Sequence, residues 1–344
     1  MTPRERYMVA ARLEEPDQVP VAFLRSCYDA TRIGLNVKDY ILDYGKKLTA
    51  QIKLHERFPG CAFVPGINPD FGIVAEASAF GAEVFYYEKE PPMCTPIIKN
   101  VEEIDSIKTP DPYRDGLLPK VLEAYKYLIE NTPSKYEVDP PAIRGPLDLA
   151  TEIRGAAQVL SDMYRHPEYV HKLVTIAAQT QIDFLKALDE VSGGTKLSFI
   201  CDDIPGLISP KFFEEFGFPY MKKIFQSFNG KLRIYHNCKR SMHILERLVD
   251  TGFQVFNFSF ENNLKETKAR LGKKVCLWGN VEPIGVFLKD PKEIECVCKE
   301  QIKLAGPGGG YVLSVGGGCY GPDGSIDSMI EAANKYGRYP ITVD

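Results

Sequence analysis

The sequence predicts a single (β/α)8 barrel, an α/β fold of the TIM type spanning residues 1–344, and three observations lead to it. Eight short apolar runs read as buried strands. Between them lie amphipathic stretches with the helical period, so the strands are joined by helices and lie parallel. The chain is long enough for one large domain, and no linker, low-complexity tract or short repeat divides it. Eight such units favour a closed barrel over an open sheet.

In chain order, the runs are 19–24, 62–64, 142–144, 197–201, 232–235, 255–258, 275–278 and 311–315. Helices are expected at 156–164, 167–188, 210–228, 242–251 and 291–305. Ile208-Ser209-Pro210 supplies a helix start of its own, with Ser as cap and Pro in the first turn. Residues from about 66 to 140 form an insertion-like segment, rich in Pro and acidic residues, with an expected extra hairpin and helix over the barrel mouth. The Gly308–Gly310 run precedes a strand and reads as a turn, and there is no Walker or Rossmann glycine pattern.

Composition narrows the setting. The net charge is −4 and no Lys/Arg block stands out, which argues against a nucleic-acid or membrane-surface binder. The first residues, MTPRERYMVAARLEEPDQ, lack the apolar core of a secretory signal. Nine scattered cysteines, an odd number without a framework or a CxxC pair, then read as reduced thiols of a cytoplasmic protein.

Barrels of this class carry their active sites at the C-terminal strand ends. Cys201-Asp202-Asp203, His236-Asn237-Cys238, Ser259 and Glu261, Gly279-Asn280-Val281-Glu282-Pro283 and Gly316-Gly317-Gly318-Cys319 all stand at such ends. His236, Cys238 and Cys319 make a zinc set of nitrogen and thiolate donors, with one position left exchangeable. Residues 236 and 238 share a side of an extended chain, and the three glycines before Cys319 allow close backbone approach. Glu261 ends the intervening strand and is a displaceable fourth ligand. The bland reading stands beside this one: HxC arises by chance, and a buried free cysteine is usually a small hydrophobe. Cys27, Cys61, Cys94, Cys201 and Cys276 lack metal-type neighbours, and the CxC at 296–298 lies in a helix, where residues two apart do not share a face. Asp202 and Asp203 either bind a cationic group or orient a proton transfer as catalytic carboxylates, or they cap the next helix and hold a loop.

The motifs resemble those of the uroporphyrinogen decarboxylase superfamily. They are Arg144 with GPLDLATEIRG, CDDIPGLISPKFFEEFGFPYMKKI, HNC, GNVEP and the C-terminal GGGYVLSVGGGCYGPDGSIDSMIEAANKYGRYP. The superfamily's fold is a (β/α)8 barrel. Its decarboxylases have an N-terminal pattern like FMRQAGR, whose two arginines meet substrate carboxylates. The matching stretch here is FLRSCYD, which keeps Arg25 but has Asp29 at the second arginine position. The NLGHG-like strand tail of those enzymes reads Ser314-Val315-Gly316-Gly317-Gly318 here, without histidine. The pattern is closer to the cobamide-dependent methyltransferase branch, which includes methylcobamide:coenzyme M methyltransferases. The zinc motif of that branch, HxC followed by a Cys at the last strand end, matches His236, Cys238 and Cys319, with Glu261 as the ligand that yields to an incoming thiol.

The resemblance implies a zinc-dependent methyltransferase that moves a methyl group between a corrinoid carrier and a small molecule. The small molecule is either a thiol acceptor such as coenzyme M or a methoxy or methylamine donor. Arg25, Tyr28 and Asn280 are the implied substrate-binding residues. The corrinoid rides on a partner protein or is free cobamide, since the chain has no DxHxxG-like cobalt-ligand motif. A homodimer is compatible with this reading. The alternatives are a metal-free decarboxylase-like lyase and a non-catalytic binder of cobamide or tetrapyrrole.

Overall fold

A computed structural model of the protein describes residues 1–27, 29–319 and 321–341. All eight expected runs form strands: β1 (Ala22–Leu24), β2 (Ala62–Val64), β3 (Ile143–Arg144), β4 (Leu197–Cys201), β5 (Leu232–Asn237), β6 (Val255–Phe258), β7 (Cys276–Trp278) and β8 (Tyr311–Val312). β3 to β8 pair in sequence order and in parallel, and β1 pairs in parallel with β2. β8 returns to β1 through bridges from Leu313 to Val21 and from Gly318 to Leu24, while Ile67 beyond β2 bridges to Val138 ahead of β3. The architecture is the TIM barrel.

Alternation along each strand divides the core into two parts. Ala22, Val64, Phe199, Ile234, Trp278 and Val312 face one another inside the barrel. Their neighbours Phe23, Ile200, Tyr235, Phe256 and Leu277 turn outward onto the helices. Helix Pro3–Ala11, held by a capping box between Thr2 and Glu5, brings Tyr7 edge-on to Trp278 with ring centroids 5.5 Å apart. It lies against the strand starts, where Met8 and Val9 line a groove with Leu197 and Leu232. That end is occupied, so the opposite rim is left for chemistry.

Two expected helices are shorter than the period suggests. The stretch 210–228 breaks into Pro210–Phe212, one π turn over Phe213–Gly217 and Phe218–Gln226. Pro219 lacks the N–H an unbroken helix needs there, and a wider turn absorbs the loss. The helix expected at 242–251 covers only Leu245–Val249, and ahead of it the chain makes a turn in which the Ile244 N–H donates to the Ser241 carbonyl (3.0 Å). Ser209 caps its helix as expected, accepting from the Phe212 N–H at 3.2 Å. Between 66 and 140 lie a short antiparallel pair, Val84–Phe85 with Met93–Cys94, and the helix Leu118–Asn131. Among the described residues, no helix is long and apolar enough to cross a membrane.

Candidate functional site

The strand tails surround a cavity of about 470 Å³ at the C-terminal rim, within the range of small-molecule sites. Its chemistry begins with register. His236 stands beside Cys201 on β4 and Asn257 on β6, and Asn257 stands beside Trp278 on β7. The inward alternation that places Ile234 in the core therefore carries His236, two residues on, to the top of the lumen. Its Nδ1 lies 2.6 Å from Asn257 Oδ1, so the ring is buried and fixed.

Cys238 follows one step past the strand, and Asp203 stands just beyond the end of the neighbouring β4. The Cys238 N–H donates to Asp203 Oδ1 (2.6 Å) and the thiol to Oδ2 (2.7 Å). The ligand atoms of Asp203, His236 and Cys238 all lie within 4.8 Å of one another. Burial and the Asp203 charge beside it push the Cys238 thiol up to about 12. Burial also works against the Asp203 charge, but His236 beside it and the two bonds from Cys238 outweigh it and lower the Asp203 pKa. The pair therefore rests as a carboxylate holding a protonated thiol. Nitrogen, sulfur and carboxylate oxygen are all zinc donors, and three of them leave a position open. The set thus fits the zinc implied by the resemblance, and a cation seated there would take the thiol proton's place.

Asp202, next in sequence, does something else. It is fully buried outside the cavity, where its Oδ1 accepts the Asp148 N–H (2.8 Å) at the start of helix Pro146–Arg154. This is a helix-start role, but on the helix before β4 and not on the one after it that the sequence led us to expect. Gly145 is the residue that lets the two meet, since a methyl there would overlap the Asp202 side chain.

Arg25 lies over the Phe63 ring, 4.5 Å from its centroid, and pairs with Asp29 through Nη1 (3.0 Å). Its Nε and Nη2 are buried without a hydrogen-bond partner among the described residues, and the residue lines the cavity. An anionic group is what such a guanidinium lacks. Tyr28 lies outside the described residues. Asn280 is buried away from the cavity, its Nδ2 donating to the carbonyls of Ser259 (3.0 Å) and Asn262 (2.8 Å).

Cys319 and Glu261 are not brought into the cluster. The Cys319 Sγ sits 3.5 Å from Arg32 Nη2, which also donates to the carbonyls of Cys319 (2.9 Å) and Gly321 (2.7 Å). Glu261 is exposed, with its N–H on Ser259 Oγ (3.2 Å). Gly316, Gly317 and Gly318 do line the cavity, so the last strand end brings backbone to the site while its thiol packs beside Arg32.

Four cavity groups escaped the sequence reading. Asp70 lines the wall near Arg25, with Oδ1 accepting the Gly72 N–H (2.7 Å) and Oδ2 unpaired among the described residues. Glu76 accepts the Arg144 N–H (2.8 Å), and Arg144 itself is held by Asp148 (3.1 Å) and Glu152 (2.5 Å). Cys201, read as structural, lines the cavity beside His236. Applying the strand-end rule past Val64 as far as Asp70 was the available signal for the first of these.

The comparisons with known proteins follow the same division. The uroporphyrinogen decarboxylase family profile matches residues 2–336. A methylcobamide:CoM methyltransferase of Methanosarcina mazei is 26% identical over 98% of this chain and 99% of its own. A uroporphyrinogen decarboxylase of Cellvibrio japonicus is 25% identical over 92% of each. The solved structure of a methyltransferase from Methanosarcina mazei superposes with a TM-score of 0.83 at 21% identity, covering 98% of this chain and 99% of that one. A B12-independent methionine synthase from a Shewanella species superposes with a TM-score of 0.60 at 12% identity, covering 92% and 98%. At those identities the superpositions speak for the barrel alone.

Proposed function

Because the chain belongs to the uroporphyrinogen decarboxylase family, whose members are decarboxylating or methyl-transferring enzymes, we propose that it is a zinc-dependent methyltransferase working between a corrinoid carrier and a small thiol. The observation that carries this reading is the convergence of His236, Cys238 and Asp203 on one wall of the cavity. His236 and Cys238 are the zinc ligands common to the sequence motif and the observed cluster. Asp203 is the third ligand as the side chains stand, and Cys319 and Glu261 are the ligands the motif adds. Zinc held by these residues would supply the acidity that turns the acceptor thiol, a poor nucleophile while protonated at neutral pH, into a thiolate.

The chain's own residues do the rest. Arg25 takes the acid group of the acceptor with the two N–H groups it leaves unpaired, and so directs the sulfur toward the opposite wall. Asp203 keeps the bond it accepts from the Cys238 main-chain N–H, or joins Cys238 as a ligand. Gly316–Gly318 give the methyl donor close access along the rim, because no side chain stands there. A packed barrel cannot enclose a corrinoid, so the carrier, free or on a partner protein, meets the mouth from outside.

The decarboxylase reading has relatives at similar identity behind it. Against it stands Asp29, which occupies the second arginine position and takes up part of the Arg25 charge, leaving little for a polyacidic substrate. The test is the visible spectrum of cobalt. With zinc and an acidic thiol such as coenzyme M, wild type should convert methyl-Co(III) cobalamin to Co(I), and Cys238→Ala should not. Decarboxylation of uroporphyrinogen with methylcobalamin left intact would overturn the proposal.

A further inference from the structure

We propose that Asn257 is a positioning residue that holds His236 as the Nδ1–H tautomer and thereby presents the Nε2 lone pair to Asp203 and Cys238; the proposal rests on the metal reading only for its consequence, not for its geometry. Asn257 is fully buried on β6, directly beside His236 in the sheet. Its amide is oriented by its other neighbour. The Nδ2 donates to the Trp278 carbonyl at 3.0 Å, a main-chain acceptor that cannot change role. That leaves Oδ1 toward the imidazole, 2.6 Å from Nδ1. Two lone pairs would repel at this distance, so Nδ1 carries the proton. Turning the amide over would only move the conflict, setting Oδ1 against the Trp278 oxygen. The neutral ring is thus left with one basic nitrogen, Nε2, and it belongs to the cavity side.

The arrangement has the logic of an outer hydrogen bond that fixes a histidine ligand. Here the orienting group is a carboxamide, itself held by a β7 main-chain carbonyl. Three adjacent strands therefore set one tautomer. The anchor continues downward, because Trp278 donates its indole N–H to the Ala22 carbonyl at 3.0 Å and is fully buried in the lumen. A side chain anchored at that depth does not rotate to suit a ligand.

The experiment is long-range proton–nitrogen NMR on the chelator-treated full chain with 15N-labelled histidine. It is recorded near pH 9, where an ordinary imidazole is neutral. The chain has five histidines, and the His236→Gln spectrum identifies the signal. Wild type should show His236 with Nδ1 protonated and Nε2 bare. Asn257→Leu, which removes the acceptor, should move it toward the Nε2–H form. A wild-type Nε2–H form, which is readable even if no variant folds, overturns the proposal, as does an unchanged Nδ1–H form in folded Asn257→Leu. Zinc competition against a chelator then reads the consequence: Asn257→Leu should bind about 10–100-fold more weakly. A wild type with the expected tautomer and no zinc affinity would support the positioning and refute the metal reading.

Discussion

Asp202 and Asp203 are adjacent carboxylates with opposite tasks, and burial separates them. Asp203 faces the cavity, is bonded twice by Cys238, and has a lowered pKa despite its burial. Asp202 is fully buried behind it, and burial together with Asp148 raises its pKa well above the carboxylate range. A carboxyl raised on folding makes its full contribution to stability below its unfolded pKa, about 4. It loses that contribution as pH climbs toward the folded value, because the unfolded chain ionises first. A carboxamide in its place would accept the same Asp148 N–H without that loss. Asp202→Asn is therefore expected to match wild type in thermal stability near pH 4 and to gain on it up to pH 8, with activity largely kept. Melting curves across that range check it, and a variant that loses ground as pH rises contradicts it. The sequence left these two residues undivided, since nothing local distinguishes a carboxylate over a lumen from one packed under a helix start.

At the scale of the element, the tail of β8 poses the open question of ligand choice. Gly316 to Gly318 line the cavity, yet Arg32 holds the following Cys319 away from it. Burial pushes the Cys319 thiol up to about 12, as it does, with Asp203, that of Cys238. Each thiol that becomes a ligand must then release one proton at ordinary pH, whereas Asp203 is already ionised and releases none. Zinc binding at pH 8 should liberate about one proton if Asp203 is the third ligand, and its log affinity should rise by about one per pH unit. A release near two, falling to one in Cys319→Ala, would place Cys319 in the shell. Calorimetry in buffers of different ionisation heat reads the number directly. The strand ends themselves were legible from the apolar runs, but the rotation of one side chain after three glycines was not. Glycine leaves the backbone free to choose, and the choice falls to Arg32, which is 287 residues away in sequence.

For the whole molecule, the succession of apolar runs and amphipathic stretches was enough to recover the barrel, because lumen and outer shell bury both faces of every strand. What stayed hidden were groups whose neighbours come from other strands. Asn257 reads as one polar residue inside an apolar run until β5 and β7 flank it. Asp70 sits in a segment without periodic pattern and gains meaning only beside Arg25 in the same cavity. His236 and Cys238 were legible because they share one strand end; Asp203 was legible as a rim residue, but its bonds to Cys238 depend on the register of β4 and β5.

The central claim is that this rim holds one zinc ion per chain through His236 and Cys238. Elemental analysis of protein purified under reducing, chelator-free conditions tests it most directly. The account predicts about one zinc per chain in wild type and almost none in Cys238→Ala, with both proteins folded, since the barrel core lies elsewhere. A folded wild type that carries no zinc, and takes none up when it is supplied, would contradict it.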